Sequence, residues 1–438
     1  MRTDDPWTCL LPDGGTIRDP SAPDAARDTG TGDADAVDTG VDANPIDPVD
    51  ADDASPADSG CSFEPFCRED TLVSCRVGSV EEDDCALGCD AAAGRCRRLV
   101  PSNLPEDTCD RAARAFELVV ASGTERVIDT STDCELVVPQ VGGPELCVHW
   151  GRRVVIEEGA TLRGEASDPD QNRALVLVAG VEFVVDGSVS VSAGELGVEA
   201  AGAAQAPSST NSSADSVPPP GGSFGERAGA GGSGGVPVAP ARGTNALAPL
   251  LGGIAGGGFS VSAALSNRGG GGGGALQLVG CRSIVVRGVL EAVGGGGRTR
   301  VGAGTGGGSG GGILLETGSI ALAGVVSANG GGGAGGNRGT QPFIDTRGDR
   351  GTLSLAPATG GNGLTGCGGN GGSADAAAGA GRLDVAPGAG RTCGGGATSN
   401  WGAGGGSVGR IRINTPTPPD LTAATISPAP TLGVVEAR

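Results

Sequence analysis

Thirteen cysteines are the residues best placed to do chemistry in this chain. Six fall within one short stretch: Cys61, Cys67, Cys75, Cys85, Cys89 and Cys96. Thiols at that density form either disulfides or a zinc site. Zinc needs two close ligand pairs, and only Cys85 and Cys89 approach one, with no histidine nearby. Disulfides are therefore expected, stapling a segment too short to hold its own core; the sequence leaves their pairing open. Further along, Cys109 and Cys134 are candidates to close a loop, with Cys147 left for another partner. Cys367 and Cys393 share one glycine tract and form a second candidate pair.

His149, in "LCVHWGRR", is the single imidazole. General base catalysis needs a nucleophile motif beside it, and none is present. Its place beside Trp150 suits packing or capping, and three-histidine metal sites are excluded. Asp168, Asp170, Asp186 and Asp384, with Arg282, Arg287 and Arg410, are the candidates for polysaccharide cleavage. That chemistry needs carboxylates facing each other across a sugar, and these residues form no cluster along the chain. In the repeat described below, Asp186 aligns with Arg287 and Ala323. Runs such as "GGGSGGG" lack the Gly-Lys-Ser/Thr of a phosphate loop. No catalytic residue, metal ligand or cofactor is therefore assigned.

Composition limits what can position such residues. Glycine accounts for 86 of 438 residues, aromatics for 2%, and tyrosine is absent. Average glycine usage is roughly 7%. A core must therefore be built from Val, Leu, Ile and Ala, which stacked sheets allow. The formal net charge is -21, and residues 1–60 hold fifteen Asp against three Arg. An acidic chain does not suit nucleic acid or anionic membranes. No apolar run is long enough for a membrane-spanning helix. The cysteines point to an oxidising compartment, yet "MRTDDPWTCLL" has no hydrophobic leader. A signal peptide missing from this sequence is the expectation.

Organisation follows from composition. Residues 1–60 read as a disordered acidic linker. Its Asp-rich repeats bring calcium loops to mind but lack the glycine and terminal Glu of an EF-hand. Residues 61–98 are the cysteine module, and 99–150 a connector or N-terminal cap. Three later segments align without gaps: Ala174–Gly187 "ALVLVAGVEFVVDG", Ala275–Gly288 "ALQLVGCRSIVVRG" and Gly311–Gly324 "GGILLETGSIALAG". Branched residues alternate with small or polar ones, the strand period. Gly187, Gly288 and Gly324 close each copy, as corners that need positive φ or close backbone approach. "RRVVIEEGATLRGEA" and "SVGRIRINT" read as partial copies at either end. This predicts an all-β fold: a parallel β-helix solenoid over 151–415, followed by a tail at 416–438. The glycine tracts between copies are expected to leave one side as loops, or to pack as polyproline-II-like strands.

The acidic spacer, "CALGCDAAAGRCRRLVPSN", "VVIEEGATLRGEA" and the Val-Gly segments flanked by polyglycine occur here in that order. Together they resemble a group of secreted or surface-anchored proteins of myxobacteria and relatives, over most of Cys61–Thr415. The resemblance implies location and architecture and brings no activity. The expected role is an extracellular or surface-attached structural or adhesive protein without catalytic activity. The competing reading is a β-helix that binds or cleaves polysaccharide. Expected partners are extracellular polysaccharide or other surface proteins.

Overall fold

The computed structural model describes residues 8–10, 16–18, 61–76, 79–85, 87–193, 199–205, 217–232, 236–262, 265–299, 304–336, 346–363, 366–374, 376–378 and 402–438. Two units are distinguished, Met1–Ser59 and Gly60–Arg438. In the first, Thr8–Leu10 pairs antiparallel with Thr16–Arg18. The rest of the expected acidic linker, with its calcium-loop reading, lies outside the described residues.

The second unit opens with the cysteine module. Phe66–Arg68, Thr71–Arg76 and Ser79–Asp84 form an antiparallel sheet, and Cys89–Asp90 pairs with Arg95–Cys96. Disulfides join Cys61 to Cys75, Cys67 to Cys89 and Cys85 to Cys96. Val73 and Cys85 are its buried hydrophobic residues among those described, so the crosslinks hold what burial cannot.

The remainder is built almost entirely of strands. They are β1 (Leu118–Val120), β2 (Glu125–Asp129), β3 (Leu136–Val138), β4 (Leu146–Ile156), β5 (Thr161–Ala166), β6 (Ala174–Val185) and β7 (Ser188–Ser190). Then follow β8 (Ala275–Val286), β9 (Val289–Glu291), β10 (Gly312–Leu322), β11 (Val325–Ser327), β12 (Arg410–Asn414), β13 (Thr425–Ser427) and β14 (Thr431–Gly433). One short α-helix, α1 (Thr108–Ala113), precedes them.

A large sheet runs β3–β4–β6–β8–β10–β12–β14, with β1 beside the second half of β4. A second sheet runs β2–β5–β7–β9–β11–β13. Neighbours are parallel throughout, except β3 against β4 and a two-residue strand, Glu199–Ala200, against β5. Leu175, Leu177, Phe183 and Val185 of β6 and their counterparts Leu276, Leu278, Ile284 and Val286 of β8 share one apolar core with Val189 and Leu290 of the second sheet. Val176, Val178 and Val279 face the other way, into a second core with Cys109, Ala112, Phe224, Leu247 and Leu250. The first half of the large sheet is thus covered on both faces, as parallel sheets require. Each buried Leu or Val adds roughly 1.5–3 kcal/mol.

These sheets correct the expected solenoid. The structure is a large parallel sheet backed by a second one, not a closed β-helix. The apolar bursts that suggested short faces merge into strands of 11 or 12 residues in β4, β6, β8 and β10. Each of these long strands carries an irregularity in its pairing near the middle, at Gly151–Arg153 and Gly280–Ser283. It also shifts the repeat. Leu175 pairs with Leu276 and Val185 with Val286, as the gapless alignment requires. Between β8 and β10 the match holds for Ser283 with Ser319 but slips by one residue earlier, where Ala275 meets Gly312.

The glycine tracts decide between the two expectations held for them, because their described parts do not loop away. They are buried and hydrogen-bond to one another through backbone. Residues 304–311 alone exchange bonds with six other segments. Gly270 N–H donates to Gly306, Gly308 N–H to Gly295, Gly331 N–H to Gly308, Gly307 N–H to Gly404, Gly222 N–H to Gly307 and Gly306 N–H to Gly257. A β-strand has two neighbours in its ladder. An extended threefold screw points its backbone groups in three directions and permits more. Only glycine tolerates the resulting approach. A Cβ on Gly308 would overlap the carbonyl of Gly271, and one on Gly406 that of Gly308.

Candidate functional site

The polar residues that the fold gathers most tightly lie on the outer face of the large sheet. Glu316 of β10 has 1% of its surface exposed and Gln277 of β8 none. Alternation puts both on the face opposite Ile313, Leu315, Leu276 and Leu278, which fill the inter-sheet core. Asn414 of β12 is paired directly with Glu316. Gln277 is opposite Leu314, two residues out of step with Glu316, so the two reach each other diagonally. Ser102 and Asn103 close over them; Asn103 takes a positive φ of 64°.

Four donors converge on the Glu316 carboxylate. Oε1 accepts from Ser102 Oγ at 2.8 Å and Asn414 Nδ2 at 2.9 Å. Oε2 accepts from Ser102 N–H at 3.0 Å and Gln277 Nε2 at 2.7 Å. Gln277 Nε2 also donates to the Ser102 carbonyl at 2.8 Å. Asn103 Nδ2 lies 3.5 Å from Gln277 Oε1 and donates to Leu247 O at 3.0 Å. Arg412 Nε holds Asn414 from behind at 2.7 Å. Burial pushes the Glu316 carboxyl above its ordinary value of 4.5, and the four donors only partly oppose that. The arrangement unites a hydroxyl, a carboxamide and a carboxyl group away from water.

The same N-terminal segment is fastened a second time. Helix α1 lies against the irregular middle of the long strands, where a Cβ on Gly180 would overlap Ala113. Cys109 of α1 is disulfide-bonded to Cys281 of β8, 172 residues away. Cys134 is bonded to Cys147. The expected Cys109–Cys134 loop is therefore corrected: Cys134 takes Cys147, and Cys109 takes Cys281, a cysteine not among the candidates. Cys367 is in a disulfide, while Cys393 lies outside the described residues.

His149 is buried on the inter-sheet side of β4. Its Nδ1 lies 3.2 Å from Glu135 Oε1, and its Nε2 is 3.9 Å from Cys147 Sγ. An acid–imidazole pair thus ends on a disulfide sulfur, which offers no nucleophile. Burial lowers the imidazole's affinity for a proton, outweighing the attraction of Glu135.

The acids and arginines singled out from the sequence are spread over the fold. Asp168 caps a turn through Asp170 N–H and Gln171 Nε2. Asp186 and Arg287, aligned in the repeat, do meet, in a two-pronged ion pair of 2.6 and 2.9 Å. Arg282 is exposed, Arg410 bonds to Asn245 and to the Arg242 carbonyl, and Asp384 lies outside the described residues. Among the described residues, no three His, Cys, Asp or Glu side chains gather as a metal site. Gly187, Gly288 and Gly324 stack on one another: a Cβ on Gly288 would overlap the Gly187 carbonyl, and one on Gly324 that of Gly288. None of the three has a positive φ, so close approach is what they supply.

Sequence reasoning passed over Ser102, Gln277, Glu316, Asn414 and Cys281. A signal was present. Gln277 and Glu316 interrupt apolar runs at positions where the first copy carries Val176 and Ala179. A polar residue inside a buried strand needs a partner. Compared with known protein families, with curated proteins and with solved structures, the chain matches none.

Proposed function

We propose that this chain is an extracellular structural or adhesive protein, built to keep its shape rather than to turn over a substrate. The observation that carries this reading is the double fastening of one segment. The stretch from Leu99 to Ala113 is held to the large sheet covalently through Cys109–Cys281 and again through the Ser102–Glu316 bonds. A covalent tie across 172 residues constrains the unfolded chain and resists peeling of the sheet's cover. Disulfide use supports an oxidising, extracellular setting. Among the described residues, no helix is long and apolar enough to cross a membrane. The acidic surface favours separation of copies by repulsion. The resemblance to secreted and surface-anchored myxobacterial proteins supports the same location.

The test displays the full chain on a heterologous cell surface and measures retention of cells under flow. Retention above undisplayed cells, and its decline on reduction, is the expected result. Release of new sugar ends from extracellular polysaccharides by the purified chain would replace this reading with a glycan-cleaving one.

A further inference from the structure

We infer that the Ser102 side chain becomes esterified to Gln277, giving an internal covalent crosslink between the N-terminal segment and strand β8. Three features of the site's geometry lead there. The nucleophile is positioned: Ser102 Oγ donates to Glu316 Oε1 at 2.8 Å. The leaving group is positioned on the same carboxylate, with Gln277 Nε2 donating to Oε2 at 2.7 Å. Asn103 Nδ2 lies 3.5 Å from Gln277 Oε1, on the atom where negative charge develops during attack. Gln277 is fully buried and Glu316 nearly so, which keeps bulk water from competing.

The step balances without any co-reactant. Ser102 Oγ attacks Cδ of Gln277 while its proton passes to Glu316 Oε1. The tetrahedral centre collapses as the carboxyl returns a proton to Nε2. The Cδ–Nε2 bond breaks, the Oγ–Cδ bond forms, and ammonia leaves. Glu316 ends in its starting protonation state, so one carboxyl serves as base and then as acid. A carboxyl whose affinity for protons is raised by burial suits that double use. Holding nucleophile and carboxamide in one cage supplies the proximity that unassisted alcoholysis of an amide lacks.

Peptide mapping decides the matter on the wild-type full chain. Trypsin cuts after Arg98, Arg111, Arg268 and Arg282, so it places Ser102 with Cys109 in one peptide and Gln277 with Cys281 in another. The Cys109–Cys281 disulfide joins these two peptides before reduction. If the ester is present, they stay joined after reduction and alkylation, at a mass one ammonia below their sum, and separate in hydroxylamine. Glu316→Gln, mapped in the same way, is expected to yield separate peptides. Should the wild-type peptides part completely on reduction, with both masses as encoded, the proposal is overturned. That readout is independent of adhesion, so failure here leaves the proposed role standing, and the reverse.

Discussion

Gln277 and Glu316 lie on adjacent parallel strands, two positions out of register, and meet through a 2.7 Å hydrogen bond with both side chains shut away from solvent. A buried carboxylate is costly unless donors surround it. Here the donors come from β8, β12 and the Ser102 segment, so the node forms only when all three are assembled. It therefore reports on the docking of residues 99–113 more directly than on the sheet itself.

Glu316→Ala leaves Ser102, Gln277 and Asn414 donors without an acceptor. A loss of about 1–3 kcal/mol is expected for each buried donor left unsatisfied. Urea denaturation of the full chain under non-reducing conditions measures it. An unchanged midpoint would mean that residues 99–113 are not anchored at this node.

The pH dependence has a definite sign. The folded carboxyl of Glu316 is raised above its ordinary 4.5. Its contribution to stability is therefore full below that value and is lost as pH rises through the folded value. The difference in urea midpoint between wild type and Glu316→Gln should shrink in that direction as acidic buffer is brought to neutrality. A difference that grows instead would mean that the donors, not burial, dominate.

His149 works with the opposite sign. Burial lowers its folded value below the ordinary 6.5, so its contribution is present above 6.5 and is lost as pH falls through the folded value. Because the chain has one histidine, a single imidazole resonance reports its titration by NMR. The midpoint is expected below 6.5, and a midpoint above it would show the Glu135 carboxylate prevailing.

Replacing both Cys109 and Cys281 by serine removes the long covalent tie. A cost of about 2–5 kcal/mol is expected, with new proteolytic cuts after Arg111 and Arg114. Cuts confined to other segments would show that packing around Gly180 and the Glu316 node suffice to hold α1.

Two glycines separate crowding from backbone strain. Gly308→Ala would push a methyl group into the Gly271 carbonyl, at an expected cost of about 3 kcal/mol or more. Gly142 has φ +78° with nothing within 4 Å of an added Cβ, so Gly142→Ala should cost only about 1–2 kcal/mol. Comparable thermal midpoints for the two variants would contradict the close packing of the glycine layer.

Much of the strand content was legible from alternation. In "ALVLVAGVEFVVDG" and "ALQLVGCRSIVVRG" branched residues recur on both faces, and the gapless match between them is the observed pairing of Leu175 with Leu276 and Val185 with Val286. The same alignment set Asp186 level with Arg287, and the ion pair they form emerged only from the structure. The one-residue slip between β8 and β10 did not, because an irregularity in a strand changes register without changing its apolar pattern.

By itself, then, the sequence determined that the chain would be all but helix-free, built from parallel-compatible Val and Leu strands, and stapled by cysteines near its start. Tertiary structure alone decided three things. Two long-stranded sheets form in place of a closed solenoid, since a strand's length depends on what covers its faces. Cys109 finds Cys281, since a disulfide partner is chosen by distance in space rather than along the chain. The glycine tracts become a buried layer, since a residue without a side chain carries no pattern saying which way it faces, and only the backbones of its neighbours settle where it fits.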